Sequence, residues 1–384
     1  MKQKFQNGLI AKDVKDSILI SGASFAGLAT AWWMQQLGYR VTVVEVAPSL
    51  RKGGTPVDIR ESVVDVARRM GLLEQISAES LPPRPTQFIG KDGRPLMQET
   101  TREDTGDREP EWEIERDDLL YMLFDRVKDD VEFLFNDSIT RVEEAKEAVQ
   151  ITFASGRQAS YALLFGCDGT HSNVRKICFG EESLFLLFLR NYFSLTIVDK
   201  LLIPENTAQM FSVPGKTVMV NAYHGKTDIA FSFFCAEEVS YDRRDRNRQK
   251  EMILKHLAGA GWRTDELLKE TNASDNFYFD KLCQVRMPAW TQGRVALIGD
   301  AGYCPSPAAG MGGSMALLGA AFLADAFQKY PDDFAQAFQE YDHSLRPIVE
   351  GIQANAIEFG MKMFLPASEE EIDQRNAQLK LRRS

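Results

Sequence analysis

Residues 17–46 leave this chain little choice of fold. Ser17-Ile-Leu-Ile-Ser21 is a short apolar run that stops at Gly22. From Ala26 to Leu37 apolar residues recur at helical spacing, Gly38 breaks the pattern, and Val41-Thr-Val-Val-Glu-Val46 is β-branched. The reading is strand, helix, strand within about 30 residues. Two strands joined through a helix run parallel with a right-handed crossover. The turn Gly22-Ala-Ser-Phe-Ala-Gly27 fits G-x-G-x-x-G with Ser24 in place of the middle glycine. Gly22 supplies the tight turn, and the small Ser24 and Ala26 let a pyrophosphate approach backbone N–H groups. Gly27 lets the helix pack closely on the strand. Glu45 ends the second strand 18 residues after Gly27, where a carboxylate accepts from adenosine ribose hydroxyls and disfavours a 2′-phosphate. Taken alone, the imperfect fingerprint also fits an α/β turn that binds no nucleotide.

The rest of the chain alternates in the same spirit and then changes texture. Helices are expected at Glu61 to Gln75 and Arg116 to Lys128, a hairpin turn at Lys91-Asp-Gly-Arg94, an exposed loop from Thr100 to Pro110, and several short strands between Val131 and Leu164. From Leu184 to Phe234, aromatic and β-branched runs predict a mostly antiparallel sheet. Helices near Arg244 to Ala258 and Asp265 to Glu270 and a strand at Phe277 to Val285 follow it. Arg294 to Ile298 is again a buried-type strand, and Gly310 to Phe327 a helix rich in small residues. The tail from Ser368 is charged and reads as a surface helix or frayed end.

Composition removes whole classes of function. A formal charge of −10 has the wrong sign for a phosphate backbone, so no nucleic-acid partner is expected. No apolar run reaches the length of a signal peptide or a membrane span, and a cytoplasmic location is expected. Cys167, Cys178, Cys235, Cys283 and Cys304 are scattered and odd in number, which argues for free thiols rather than disulfides or a metal site. His171, His224, His256 and His343 read as structural or exposed, and no Ser/His/Asp or paired-carboxylate constellation stands out.

Two further motifs fix the kind of dinucleotide. Cys167-Asp168-Gly169-Thr-His-Ser172-Asn-Val-Arg175 resembles the D-G-x-x-S-x-x-R motif of flavoprotein hydroxylases. About 130 residues later, Gly299-Asp300-Ala301, followed by Pro307, Gly310 and Gly312, resembles their G-D-A motif. The resemblance, to the single-component class A flavin monooxygenases, covers nearly the whole chain. It tightens at Arg51-Lys-Gly-Gly-Thr-Pro-Val-Asp58-Ile-Arg60, at Glu115-Arg116-Asp-Asp-Leu and at Gly299 to Pro307, all similar to the tetracycline-inactivating monooxygenases.

That resemblance implies an α/β fold: a Rossmann-like FAD-binding domain of the para-hydroxybenzoate hydroxylase type, a second, mostly antiparallel β substrate domain and a C-terminal helix. The expected division is 1–85, 110–180 and 285–365 for the discontinuous FAD domain, 86–109 and 181–284 for the substrate domain, and 366–384 for the tail. It implies FAD held by Gly22, Ser24, Ala26, Gly27, Glu45, Asp58, Arg116, Asp168, Asp300, Gly310, Met311 and Gly312, with Arg51 linked to a nicotinamide. NAD(P)H would be a co-substrate that visits transiently, since no second nucleotide fingerprint occurs. The implied reaction is hydroxylation of an electron-rich phenol or enol, aromatic or polyketide and tetracycline-like among them, by O2 through a flavin C4a-hydroperoxide.

Asp300 follows a buried strand, where a carboxylate is costly without donors, and ribityl hydroxyls are suitable ones. The sequence departs from the common motifs at Tyr303 and Met311, which are expected where substrate and flavin ring meet. Candidate substrate walls are Phe185 to Phe193, Met210, Phe211, Met219 to Tyr223 and Phe231 to Phe234, with core packing as their alternative. A flavin reductase of the same fold and an FAD-loaded protein without turnover remain as other readings.

Overall fold

The computed structural model describes Val14 and residues 16–100 and 111–381. Ser17–Ser21, Arg40–Glu45, Glu132–Phe135, Leu163–Gly166 and Val295–Leu297 run parallel in one sheet, and Thr291–Gln292 adds an antiparallel edge. In this sheet Ser21 stands opposite both Val44 and Gly166, and Gly166 opposite Leu297. Gly22, Asp168 and Gly299 therefore leave the sheet side by side on its carboxyl edge, where ligands of open α/β sheets bind.

The helix Phe25–Gln36 begins at that edge because two glycines permit it. A side chain on Gly22, held at φ +105°, would meet the Cys167 carbonyl at 2.5 Å, and one on Gly27 would fall 1.8 Å from the Gly22 carbonyl. The helix thus lies directly on the turn. The long helix Gly312–Lys329 packs beside it through Ala316, Ala320 and Ala324, all buried.

The second large sheet has the order Phe277–Val285, Leu186–Val198, Lys226–Phe234, Lys216–Tyr223, Thr207–Val213, Pro85–Ile89, Pro95–Thr100. It is antiparallel except where Thr207–Val213 meets Pro85–Ile89. Period-2 alternation gives it two faces. Phe211, Val220, Ile229, Phe231 and Phe233 form a core with the helices Arg246–Leu257 and Thr264–Ala273. The register puts Phe193, Leu195, Met210, Met219 and Ala230 on the other face.

Several expectations need correcting. The helix read from Glu61 to Gln75 is two, Ser62–Arg69 and Leu73–Ala78. Between them the Leu72 amide returns to the Ala67 carbonyl at 2.9 Å and closes the first one off. The helix expected from Gly310 starts at Gly312, after a 3-10 turn at Pro307–Ala309. For Phe211 and Phe231 the core alternative holds, since both belong to the helix-covered core. Of the two readings for the stretch from Ser368, the helix holds as far as Leu381: Glu369–Leu381 docks Leu379 on Phe88 and Met210, and the buried Arg375 donates to the Ser212 hydroxyl and the Met363 carbonyl, both at 3.1 Å. Of the loop expected from Thr100 to Pro110, Thr100 ends a strand and the remainder lies outside the described residues. Among the described residues no helix is long and apolar enough to cross a membrane.

The contact between Gly27 and Gly22 is backbone on both sides, so neither partner yields cheaply. Gly27→Ala is expected to lower stability by about 1–3 kcal/mol, the cost of overpacking a closed site. Urea unfolding followed by circular dichroism measures it, and an unchanged midpoint would show that the helix is free to lift.

Candidate functional site

Four loops meet at the carboxyl edge of the parallel sheet, each held by side chains of the chain itself. Glu45 braces the first. Its Oε2 accepts the Ala23 amide and its Oε1 the Ala47 amide, both at 2.9 Å, so the carboxylate holds the glycine turn and keeps one lone pair per oxygen for another donor. Ser24 stands at the N-cap of Phe25–Gln36, but its side chain caps nothing in the helix; its Oγ accepts from Arg116 Nη2 at 3.0 Å. The head of that helix, at the buried Ala26, leaves first-turn amides without intrahelical acceptors and carries no acidic side chain. This is what an anion site needs.

Arg116 knits the second loop to the first. Nη1 donates to the carbonyls of Arg51 and Gly53, each at 3.2 Å, and the guanidinium lies over the Phe25 ring. Burial pulls it below its ordinary pKa, and the nearby Arg51 adds to that, yet a guanidinium stays charged. Arg51 is exposed and gives its carbonyl, not its side chain, to this bracing. Asp58 lies 3.9 Å from Arg60, and its carbonyl accepts from Ser314 Oγ at 2.8 Å, tying the loop to the helix Gly312–Lys329.

The third loop carries Asp168, whose carboxylate is turned into the protein. It accepts from Ser172 Oγ and from the amides of Asn173 and Val174 at 2.9 and 3.0 Å, while burial raises its pKa. Asp168 thus caps the helix Asn173–Cys178, and what it offers a ligand is the position of its own backbone. Arg175 is wholly buried, at 0% exposure. It donates from Nη1 to the Ala301 carbonyl at 2.7 Å and from Nη2 to the Thr170 carbonyl at 2.6 Å. This side chain joins the D-G and G-D-A loops; the sequence reading gave it no role of its own, although it is the closing arginine of the D-G-x-x-S-x-x-R motif, which was the available signal.

Asp300 differs from Asp168. It heads the short helix Asp300–Tyr303, and its Oδ1 is buried with no hydrogen-bond partner. Burial raises its pKa to about 6 against hydrogen bonds from Cys304 and Thr170 and the charge of Arg116. A buried acceptor without a donor is costly, and here it points to a donor that is not part of the chain. Side chains placed on Gly310 and Gly312 would meet nothing within 4 Å, so the backbone at the head of the long helix borders open space, while the half-buried Met311 between them packs against the core.

Tyr303 does not meet that space. It is buried against Trp290, its hydroxyl bonds to Tyr341 at 2.9 Å, and a side chain on Gly319 would fall 1.8 Å from its Oη. The short helix turns it under the sheet edge, and Gly319 makes the room.

His171, one residue past Thr170, lies between two carboxylates: Nδ1 is 2.8 Å from Glu182 Oε2 and Nε2 is 2.8 Å from Asp280 Oδ2. Burial lowers a histidine, but the two carboxylates outweigh it and hold the ring above its usual pKa. In return, and against their own burial, Glu182 is held at about 2 and Asp280 below the ordinary carboxylate range. The other histidines stay structural or exposed: His224 contacts Glu115 at 2.6 Å, His256 stacks on Phe233, and His343 faces solvent.

A glycine turn at a helix head, a carboxylate with spare lone pairs and a buried acceptor without a donor thus lie along one sheet edge. Residues 15–350 match the model of the family described as "FAD binding domain". The chain belongs to this family. An uncharacterised protein of Mycobacterium tuberculosis is 36% identical over 339 residues, covering 87% of this chain and 91% of that one. A flavin-dependent monooxygenase of Legionella longbeachae is 32% identical over 345 residues, covering 90% and 88%. The crystal structure of the tetracycline destructase Tet(51) superposes with a TM-score of 0.84 at 30% identity, covering 96% of both chains. The chain is accordingly an enzyme of the flavoprotein monooxygenase kind, with the α/β architecture of para-hydroxybenzoate hydroxylase. The group that its orphaned Asp300 oxygen and open glycine loops fit is FAD.

Asp300 supplies a test with a sign. Its folded pKa lies above that of the unfolded chain, so its favourable contribution is complete below about pH 4 and is lost as pH rises through about 6. Without FAD, Asp300→Asn should melt higher than the wild type at pH 7.5, with the gap closing as pH falls below 6. Asp300→Ala should weaken FAD binding roughly ten- to hundredfold, read by flavin fluorescence. Equal melting at all pH values would place the carboxylate in solvent.

Proposed function

We propose that this chain is an FAD-dependent, NAD(P)H-consuming monooxygenase that hydroxylates an electron-rich phenol or enol, aromatic or polyketide, with tetracycline-like molecules among the candidates. The observation that carries the reading is the orphaned, buried Oδ1 of Asp300 beside the open space at Gly310 and Gly312. The similarity to a tetracycline destructase over nearly the full length of both chains supports the substrate class.

In this reading Gly22, Ser24, Ala26 and Gly27 take the pyrophosphate on backbone amides, and Glu45 takes the adenosine ribose. Arg116 fixes the loop that carries Arg51 and Asp58 over the cofactor. Asp300 accepts from the ribityl hydroxyls, and Asp168 orders the loop beside them. Gly310, Met311 and Gly312 present the head of a helix to the ring edge that becomes negative on reduction, where the helix dipole is favourable. Bound FAD supplies the redox chemistry, taking two electrons from the nicotinamide and passing them to O2. The chain's own part is to orient the substrate and exclude water. Segments 86–109 and 181–284 would form the substrate domain, with the face of Phe193, Leu195 and Met219 as its wall. Segments 1–85, 110–180 and 285–365 would hold the cofactor.

The deciding experiment is NAD(P)H oxidation by the purified, yellow protein across a panel of phenols and tetracyclines, with product mass read for one added oxygen. NAD(P)H consumption with no oxygenated product from any of them would instead favour a reductase. Arg51→Ala should keep its FAD but slow or weaken reduction by NAD(P)H about tenfold or more, the worth of one charge-assisted contact. Rapid mixing measures it, and a wild-type rate and affinity would remove Arg51 from nicotinamide recognition.

A further inference from the structure

Tyr278 leaves 52% of its surface accessible. It stands opposite Leu195, on the sheet face turned away from the helix-covered core. Two residues along that same face, Asp280 lies 2.8 Å from His171 of the D-G loop, so the face borders the cofactor loops. Close by, the strand end reaches the cofactor loops, where Asn276 lies 3.3 Å from the position of a side chain on Gly53.

The direction of its hydroxyl proton follows from its neighbours. Tyr278 Oη lies 3.1 Å from Asp280 Oδ2. Asp280 is kept ionised by His171, and the Lys281 amide and the Tyr241 hydroxyl donate to its other oxygen at 2.8 and 3.3 Å. An ionised carboxylate only accepts, so Tyr278 must donate to it. That leaves the phenol oxygen with nothing but lone pairs to offer the cleft.

We infer that Tyr278 is the specificity-determining contact of the substrate cleft: it accepts a hydrogen bond from a hydroxyl or N–H group of the substrate and discriminates against analogues in which that donor is blocked. Asp280 and His171 are positioning residues that act through it. A site built to receive a donor leaves its own polar group unpaired when the donor is missing, and such sites discriminate more sharply than apolar pockets. The inference rests on reading this face as the substrate wall.

The test uses the FAD-loaded protein and a matched pair of probes, 2-naphthol and 2-methoxynaphthalene, with binding read from the perturbed flavin spectrum. The wild type is expected to bind the naphthol about tenfold more tightly than its methyl ether. In Tyr278→Phe, which keeps the ring and its packing, the two should bind within about twofold of each other. A purely structural role for Tyr278 would weaken both probes alike and leave their ratio unchanged, and that result would overturn the inference. Equal binding of the pair by the wild type would overturn it too, even if the variant lost its FAD. The underlying reading fails separately. A wild type that discriminates between the probes but oxygenates no phenol retains the contact and loses the proposed reaction, whereas one that binds neither probe loses both.

Discussion

The site depends on how closely a helix can approach the end of a strand. The Gly22 carbonyl lies under Gly27 with no room for a methyl group between them, and this contact brings the amides of Phe25–Gln36 down to the carboxyl edge of the sheet. The other loops are built to that level. Glu45 bonds to the Ala23 amide within the turn, Arg116 reaches Ser24 from one side, and Arg175 ties the two remaining loops to each other from the other. A helix raised by even an ångström would leave Glu45 without its donor and Arg116 without its acceptor. Their burial would then be a cost instead of a support.

Charge is distributed across the site with a clear division. The carboxylates that organise loops are satisfied by the chain itself: Glu45 and Asp168 by amides, Asp280 and Glu182 by His171. Asp300 alone among these acids has a buried oxygen with no partner. A folded chain tolerates such an atom where a ligand completes it, because the same low dielectric that penalises the orphan strengthens the bond once a donor arrives. Preorganisation and binding are thus separated residue by residue.

How much of this was legible in the sequence depended on the distance between partners. The strand, helix and strand of residues 17–46 are local, and period and glycine placement were enough to read them. Alternation in Phe277–Val285 was equally visible, but the reason Tyr278 donates rather than accepts comes from His171, 109 residues from the Asp280 it holds ionised, which no local pattern contains. Asp168 and Asp300 look alike as motif residues; only the tertiary arrangement turns the first into a cap and leaves the second open. Tyr303 was misread for the complementary reason. The motif places it just after Asp300, but a single helical turn directs it into the core, where Gly319, Trp290 and Tyr341 receive it. The split helix at Met70 and Gly71 shows the limit of periodicity, since the apolar pattern carries through a break that backbone capping imposes.

The order of strands in the parallel sheet has a consequence for synthesis. Leu163–Gly166 lies between Ser17–Ser21 and Val295–Leu297, so the strand leading to Asp300 joins a sheet whose other parallel members left the ribosome well over a hundred residues earlier. Until that strand and the helix Gly312–Lys329 emerge, the nascent sheet has an open edge and the first helix lacks the neighbour that covers it. Long-range parallel pairing of this kind is slow and leaves partly folded chains exposed. Such a chain would depend, during translation, on whatever shields that edge in the cell, and could gain its cofactor only at the close of synthesis.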